Sequence, residues 1–134
     1  MKKEFTIKGP VGELHGVIHK CPDEFESGNV MIMCHGFRGS MEGGGRAAQL
    51  AEEISERHAT VVRFNFTRCA KLSVLVDELK CVIDYVRETL DPEYLILLGR
   101  SFGGAACGLR LIACRIRLRA FLNRCIRMPF MTPF

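Results

Sequence analysis

The chain has 134 residues, of which 48% are apolar and 25% are charged, and its formal net charge is +4. This balance is typical of a single globular domain that buries a core. No window holds the ~18 uninterrupted apolar residues of a membrane span, and Met1-Lys2-Lys3 leads into Glu4 rather than into a secretory apolar segment, so we expect a cytoplasmic protein with no transmembrane segment.

The amino-terminal region predicts a hairpin followed by a buried strand. EFTIKG and LHGVIHK alternate apolar with polar residues around a Gly-Pro-Val-Gly turn, which is typical of an antiparallel hairpin with one solvated face. Residues 30–34 are uniformly apolar, as expected of a strand that is buried on both faces of a parallel sheet.

Helices and strands then alternate. RAAQLAEEISERH predicts an amphipathic helix, ATVVRFNF a strand, VLVDELKCVIDYVRETL a second helix that ends at Asp91-Pro92, and YLILLG another buried strand. The residues predicted to face the core are Ala47, Leu50, Ala51 and Ile54 in the first helix, and Leu75, Leu79, Val82, Ile83 and Val86 in the second. This order predicts an α/β fold: a mostly parallel sheet with helices on both faces and an amino-terminal antiparallel hairpin.

A glycine-flanked serine follows the last of these strands. The pentapeptide GRSFG places Ser101 between Gly99 and Gly103 at a predicted strand-to-helix turn. Such a turn needs a strained backbone with close neighbours, and glycine permits both. Sites in parallel sheets gather at the carboxyl ends of strands, where HGF, at residues 35–37, also lies.

These two segments, LLGRSFGG and MCHGFRG, resemble the nucleophile elbow and the His-Gly segment of the α/β-hydrolase family of serine hydrolases. The resemblance covers residues 1 to about 108. It implies that Ser101 is the nucleophile and that the backbone amides of Phe37 and Phe102 form the oxyanion hole. It also implies that His35 organises its loop, with Gly36, Gly99 and Gly103 shaping the site. A small-molecule acyl substrate and no cofactor are expected.

Other patterns favour plainer interpretations. Cys34 and His35 are neighbours on a strand and point to opposite faces, so Cys34 is predicted to lie in the core rather than in a thiol-imidazole dyad.

His15 and His19 share a strand face near Cys21, but we expect both histidines to face solvent, and no metal site is predicted. Gly43-Gly44-Gly45 lacks a phosphate-binding motif and predicts a flexible turn. With no signal peptide and no CxxC pair, the seven cysteines are expected to be mostly reduced and packed as small apolar groups.

The residues after Ser101 lack the partners that such a serine needs. Family members supply the acid and then the histidine after the serine, whereas this chain has no His, Asp or Glu there. All acidic residues lie at or before Glu93, and the seven later charged side chains are arginines. We therefore expect an amino-terminal hydrolase portion, apparently truncated, with a core at residues 1–108 and a basic segment at 109–134. Its last strand would be an exposed edge prone to self-association unless IACRIRLRAFL partly covers it.

Two classes of function remain open. The first is a serine hydrolase acting on an ester or thioester through Ser101. The second is a catalytically silent module that self-associates, or that binds an anionic membrane or a partner through a basic amphipathic helix. In that helix the apolar stripe would be Cys107, Leu111, Cys114, Leu118, Phe121, Leu122 and Cys125. Nucleic-acid binding is not expected, because the arginines lack interleaved aromatic residues and a recognition motif.

Overall fold

The computed structural model describes residues 1–25 and 28–113, and within them one five-stranded sheet carries three α-helices. The strands are β1 (Lys2–Lys8), β2 (Glu13–His19), β3 (Asn29–Cys34), β4 (Thr60–Phe64) and β5 (Tyr94–Gly99). The helices are α1 (Arg46–Arg57), α2 (Leu72–Leu90) and α3 (Phe102–Ala113), and short 3₁₀ turns lie at Asp23–Phe25 and Gly43–Gly45.

The sheet is mixed, with the order β1-β2-β4-β3-β5. The predicted hairpin is confirmed, because β1 pairs with β2 antiparallel; β2 in turn pairs with β4 antiparallel. On the other side, β3 lies between β4 and β5 and is parallel to both. The helical crossovers between β3, β4 and β5 require this parallel arrangement, so the predicted α/β class is confirmed.

The two faces of the sheet are covered differently. Even-numbered residues of β3 and β4, such as Ile32 and Val62, join one apolar cluster with α2 and α3. Successive strand residues point to opposite faces, so Val61 and Arg63 project to the other side, where α1 contacts β4 and β2. Helices therefore lie on both faces, as predicted.

Helix α2 matches its predicted pattern closely. All five residues expected to face the core are buried. The helix ends where Asp91 adopts a left-handed conformation with φ 44°, immediately before Pro92, which cannot continue a helix. Another residue of this helix, Glu78, is fully buried and accepts hydrogen bonds from the backbone N–H and the hydroxyl of Thr67, at 3.0 and 2.6 Å. Glu78 thereby ties the loop after β4 to α2.

Helix α1 departs from its predicted pattern. Only Ala51 of the four residues expected in the core is buried, whereas Ala47 and Ile54 are half-buried and Leu50 is 42% exposed. The prediction for Leu50 is wrong because this side chain borders an open cavity instead of packing under the helix.

Strand β5 pairs with β3 alone in the part of the chain that the structure describes, so it forms one edge of that sheet. Helix α3 follows it and continues through residue 108 to Ala113. Residues 114–134 lie outside the described residues, and with them most of the predicted basic stripe and of the IACRIRLRAFL segment. The division at residue 108 stays a prediction.

No helix within residues 1–25 and 28–113 is both long enough and apolar enough to span a membrane. Nor do the described residues contain a group of three His, Cys, Asp or Glu side chains that could hold a metal ion.

Candidate active site

Ser101 lies on the tight turn between β5 and α3, and its backbone is strained. Its φ angle is 54°, in the left-handed region that costs a non-glycine residue about 1–2 kcal/mol. The flanking glycines are sterically required. A Cβ atom on Gly103 would overlap the carbonyl oxygens of Cys34 and His35, and one on Gly99 would overlap the backbone of Gly104. The turn is therefore closely packed against the end of β3.

The pairing of β3 with β5 brings the two glycine-containing segments together. Cys34 is in register with Gly99, and the backbone N–H of Arg100 donates to the carbonyl oxygen of Cys34 at 3.1 Å. A Cβ atom built on Gly36 would lie 3.5 Å from the Cβ atom of Ser101, so the chain at Gly36 passes directly beside the serine. The structure thus brings together all seven residues that the sequence assigned to the site.

Phe37 and Phe102 lie next to the two segments that meet at the serine. The rings of Phe37 and Phe102 contact edge to face, with centroids 5.5 Å apart, so the two residues bracket the Gly36–Ser101 contact. Within residues 1–25 and 28–113, neither of their backbone N–H groups donates to an acceptor. Phe102 begins α3, and amides in the first turn of a helix have no intrahelical partner.

His35 uses both ring nitrogens to hold its own loop. Its Nε2 atom accepts from the backbone N–H of Phe66 at 3.0 Å, so in the neutral ring Nδ1 carries the proton and donates to the carbonyl oxygen of Gly36 at 2.7 Å. The ring also packs edge to face on Phe66, with centroids 5.2 Å apart. In this arrangement His35 connects the β3 loop to the β4 loop and has no nitrogen left to accept a proton from a serine.

Cys34, by contrast, is a core residue, as predicted. It is buried, and a hydrogen bond with the Cys107 thiol, together with burial, raises the pKa of the Cys34 thiol well above its ordinary value. Because a thiolate is the reactive form, this environment excludes a Cys34–His35 dyad.

A buried arginine holds the far end of the same loop, and sequence reasoning missed it. Arg63 Nη1 donates to the carbonyl oxygen of Met41 at 2.7 Å and lies 3.2 Å from Glu42 Oε1. The backbone N–H of Met41 in turn donates to Asn65 Oδ1 at 2.8 Å. The available signal was a charged residue inside β4, all five residues of which are buried.

Arg63 also contacts a histidine whose predicted environment is wrong. His15 and His19 were both expected to face solvent; the side chain of His15 is 61% exposed, but that of His19 is 1% exposed. Arg63 Nε donates to His19 Nε2 at 2.9 Å, and His19 Nδ1 lies 3.1 Å from Glu52 Oε2 of α1. His19 is buried because α1 covers this end of β2, whereas no helix covers His15.

The electrostatics of this cluster favour a neutral imidazole. Burial, and then the adjacent charge of Arg63, lower the pKa of His19 below its ordinary value, although Glu52 opposes the shift. Since Arg63 Nε can only donate, His19 Nε2 must accept, and the ring proton then resides on Nδ1 and faces Glu52. Glu52, His19, Arg63 and the Met41 carbonyl therefore form one continuous chain of polar contacts that ends at the site loop.

A cavity of about 710 Å³ opens beside Ser101. Its walls are the loop from His35 to Met41, the start of α1, and the ends of β3 and β5. Such a volume is suited to a small organic molecule.

Among the described residues, none of the histidines is placed to act as a general base for Ser101. No hydrogen bond joins Ser101 to any of the histidines, all of which belong to the described part of the chain. After residue 101 the sequence contains no His, Asp or Glu.

The chain resembles known proteins in its three-dimensional structure. No family model and no curated protein matches the chain. Among solved structures, an α/β serine hydrolase without lid from Xanthomonas campestris superimposes with a TM-score of 0.73 at 27% identity, covering 84% of this chain. An α/β serine hydrolase homologue from Coxiella burnetii gives a TM-score of 0.72 at 27% identity over 85% of this chain.

This chain has the α/β-hydrolase fold. An esterase from Pyrococcus furiosus shares that fold at 15% identity, with a TM-score of 0.71 over 86% of this chain. The chain spans about half of the length of these hydrolases, namely 56%, 59% and 48% of the three structures. The resemblance to α/β serine hydrolases that GRSFG and HGF predict is thereby confirmed.

Proposed function

We propose that the chain is a serine hydrolase that acts on an ester or thioester of a small molecule, with Ser101 as its nucleophile. The observation that carries this proposal is the left-handed backbone of Ser101, at a strand-to-helix turn packed against Gly36 and beside a cavity. Strained conformations of non-glycine residues cluster at active sites and ligand-binding segments.

The proposed reaction follows from the groups around the serine. Ser101 Oγ bonds to the acyl carbon, the alcohol or thiol departs with the serine proton, and water then releases the acid and regenerates the serine. The unpaired amides of Phe37 and Phe102 would stabilise the tetrahedral oxyanion. In such sites each preorganised donor contributes about a hundredfold or more to the rate.

The same groups imply that the reaction is slow. A serine hydroxyl is a weak nucleophile until a base takes its proton, and both nitrogens of His35 are occupied by backbone groups. We therefore expect activated acyl donors with good leaving groups to react more readily than ordinary esters.

The test is covalent labelling of the purified chain with a fluorophosphonate probe, together with release of 4-nitrophenolate from 4-nitrophenyl acetate. Ser101→Ala is expected to reduce both signals to background. Ser73→Ala is the matched control, because Ser73 is exposed on α2 and lies outside the cavity. Equal labelling of the Ser101→Ala variant, with its circular dichroism spectrum unchanged, would contradict the assignment.

A second candidate function has an observation in its favour. No hydrogen bond joins a histidine to Ser101 in the described part of the chain, and β5 has one neighbour among the described strands. A catalytically silent module that self-associates through this edge, or that binds through residues 109–134, would share both features. A folded chain that shows no Ser101-dependent labelling, and whose sedimentation coefficient increases with concentration, would favour this alternative.

A further inference from the structure

The charged side chains that line the cavity beside Ser101 are all arginines, so its walls are positively charged. Four arginines line it, Arg38, Arg46, Arg63 and Arg100, and none of the described residues in its walls is an aspartate or a glutamate. A concave site lined by like charges concentrates the potential and attracts ligands of the opposite sign.

Three of these guanidinium groups have no carboxylate partner in the part of the chain that the structure describes. Arg63 is buried and paired with Glu42, whereas Arg38, Arg46 and Arg100 are exposed and form no ion pair there. Arg38 lies over the Phe37 ring, with its Cζ atom 5.8 Å from the centroid.

Three lysines elsewhere on the described surface are paired. Lys2, Lys20 and Lys80 each lie within 3.4 Å of a carboxylate oxygen, of Glu52, Asp23 and Asp84 respectively. Other exposed cations, such as Arg57 and Arg68, also form no ion pair among the described residues. What distinguishes the site is that three such guanidinium groups line one cavity, where their positive charge is available to a ligand.

The backbone at Arg38 adds a second observation. Its φ angle is 60°, a left-handed conformation that a side chain with a Cβ atom adopts only at a cost of about 1–3 kcal/mol. Glycine would adopt it without strain, and Gly36 and Gly39 occur in the same loop. The strained position thus carries a guanidinium group next to Phe37, whose backbone amide is one of the two proposed oxyanion donors.

Three large apolar side chains also line the cavity. Met33 and Leu98 come from the facing strands β3 and β5, and Leu50 comes from α1. A ligand that suits these walls combines a hydrocarbon portion with an anionic group, because guanidinium binds carboxylate and phosphate oxygens through paired hydrogen bonds.

We propose that the cavity beside Ser101 binds an acyl substrate that carries an anionic group, a carboxylate or a phosphate, paired with Arg38, Arg46 and Arg100. This inference rests on the proposed function for its reaction, but the binding of the anion is independent of catalysis and can be measured without it.

Binding is tested on Ser101→Ala by calorimetry, with monomethyl adipate and its terminal primary amide as matched ligands. The two differ in charge and hardly in shape. We expect the carboxylate to bind about tenfold more tightly than the amide, since hydrogen bonds between charged groups are that much stronger than neutral ones. Propyl phosphate is the third ligand: tighter binding than monomethyl adipate would identify the anion as a phosphate and weaker binding as a carboxylate.

Substitutions of an arginine that lines the cavity then test where the anionic group binds. In the Ser101→Ala background, Arg46→Gln is expected to lower the preference for the carboxylate several-fold, and Arg46→Lys to retain most of it because the charge is kept. Arg57→Gln is the control, because Arg57 is an exposed arginine of α1 that does not line the cavity. Equal affinity for acid and amide in the unmodified cavity would overturn the inference, as would an equal loss in Arg57→Gln.

Turnover by the unmodified chain separates this inference from the proposed function. The substrates are 4-nitrophenyl hydrogen adipate and the corresponding amide ester. Ser101-dependent release from both at equal rates would support the hydrolase and overturn the anionic substrate. Selective carboxylate binding without any Ser101-dependent release would overturn the hydrolase and support the anion site.

Discussion

The two faces of the sheet differ in what holds them together. On one face α2 and α3 cover an apolar cluster in which Leu79, Val82 and Val86 are fully buried. On the other face α1 covers a chain of polar contacts through Glu52, His19 and Arg63, and beside it the cavity remains open. Apolar packing has no preferred direction, whereas hydrogen bonds act between particular atoms. The apolar face therefore accounts for most of the stability, and the polar face positions the loop next to Ser101.

The largest contrast should come from one substitution made on each face. Leu79→Ala removes a fully buried side chain and should lower the free energy of unfolding by about 2–5 kcal/mol. Leu50→Ala should lower it by less than about 1 kcal/mol, because Leu50 is 42% exposed at the cavity. Urea denaturation monitored by circular dichroism measures both. Equal losses would show that the two faces do not differ in this way.

An intermediate effect is expected from Arg63→Met, which keeps an unbranched side chain but removes the guanidinium group and its hydrogen bonds. The Met41 carbonyl and His19 Nε2 would lose their donor, and an unsatisfied buried acceptor costs about 1–3 kcal/mol. Backbone amides in the loop from Gly39 to Gly43 should also exchange hydrogen faster, as mass spectrometry can measure.

Arg57→Met is the matched control for this prediction, because Arg57 is exposed and makes none of these contacts. Unchanged stability and unchanged exchange in Arg63→Met would mean that the loop is held by Asn65 and His35 without help from Arg63.

The smallest effect concerns the pH dependence of stability. The folded state lowers the pKa of His19, so below the ordinary histidine pKa the unfolded chain binds more protons than the folded chain. This contribution is fully present above that pKa and is lost as the pH falls through the lower pKa of the folded state. The urea midpoint should therefore decrease between pH of about 7.5 and 5.5, a range that lies above most carboxylate titrations.

His19→Gln should flatten that dependence, since glutamine does not titrate and can still accept from Arg63. His15→Gln is the control, because the side chain of His15 is exposed, and its ring contacts Thr6 across the hairpin and lies 4.0 Å from Glu13. The same slope in wild type and His19→Gln would rule out His19 as its source.

The sequence predicted secondary structure correctly where the apolar residues follow a single periodicity. The hairpin, the parallel strands and α2 all followed their predicted sequences, and GRSFG occurs at the predicted turn. In α2 the inward residues repeat at helical spacing, so burial could be read directly from the sequence. Prediction failed where burial depends on a neighbouring element: α1 covers His19 but leaves Leu50 beside the cavity.

Arg63 shows why the polar contacts that hold the site loop could not be predicted from the sequence. An arginine inside a five-residue strand is consistent with an exposed edge strand or with a buried ion pair. The choice depends on Met41, Glu42 and His19, which are distant from Arg63 in sequence. Their positions are set by the strand order, since β2 and β3 flank β4.

The amino-acid sequence alone was sufficient for the fold class and for the serine on its glycine-flanked turn, because periodicity and steric demand are local properties. Three-dimensional packing was needed to show that both nitrogens of His35 are occupied, that His19 and Arg63 hold the site loop, and that arginines from separate segments surround one cavity. Those facts depend on distances between residues far apart in the chain, which only the completed sheet brings together.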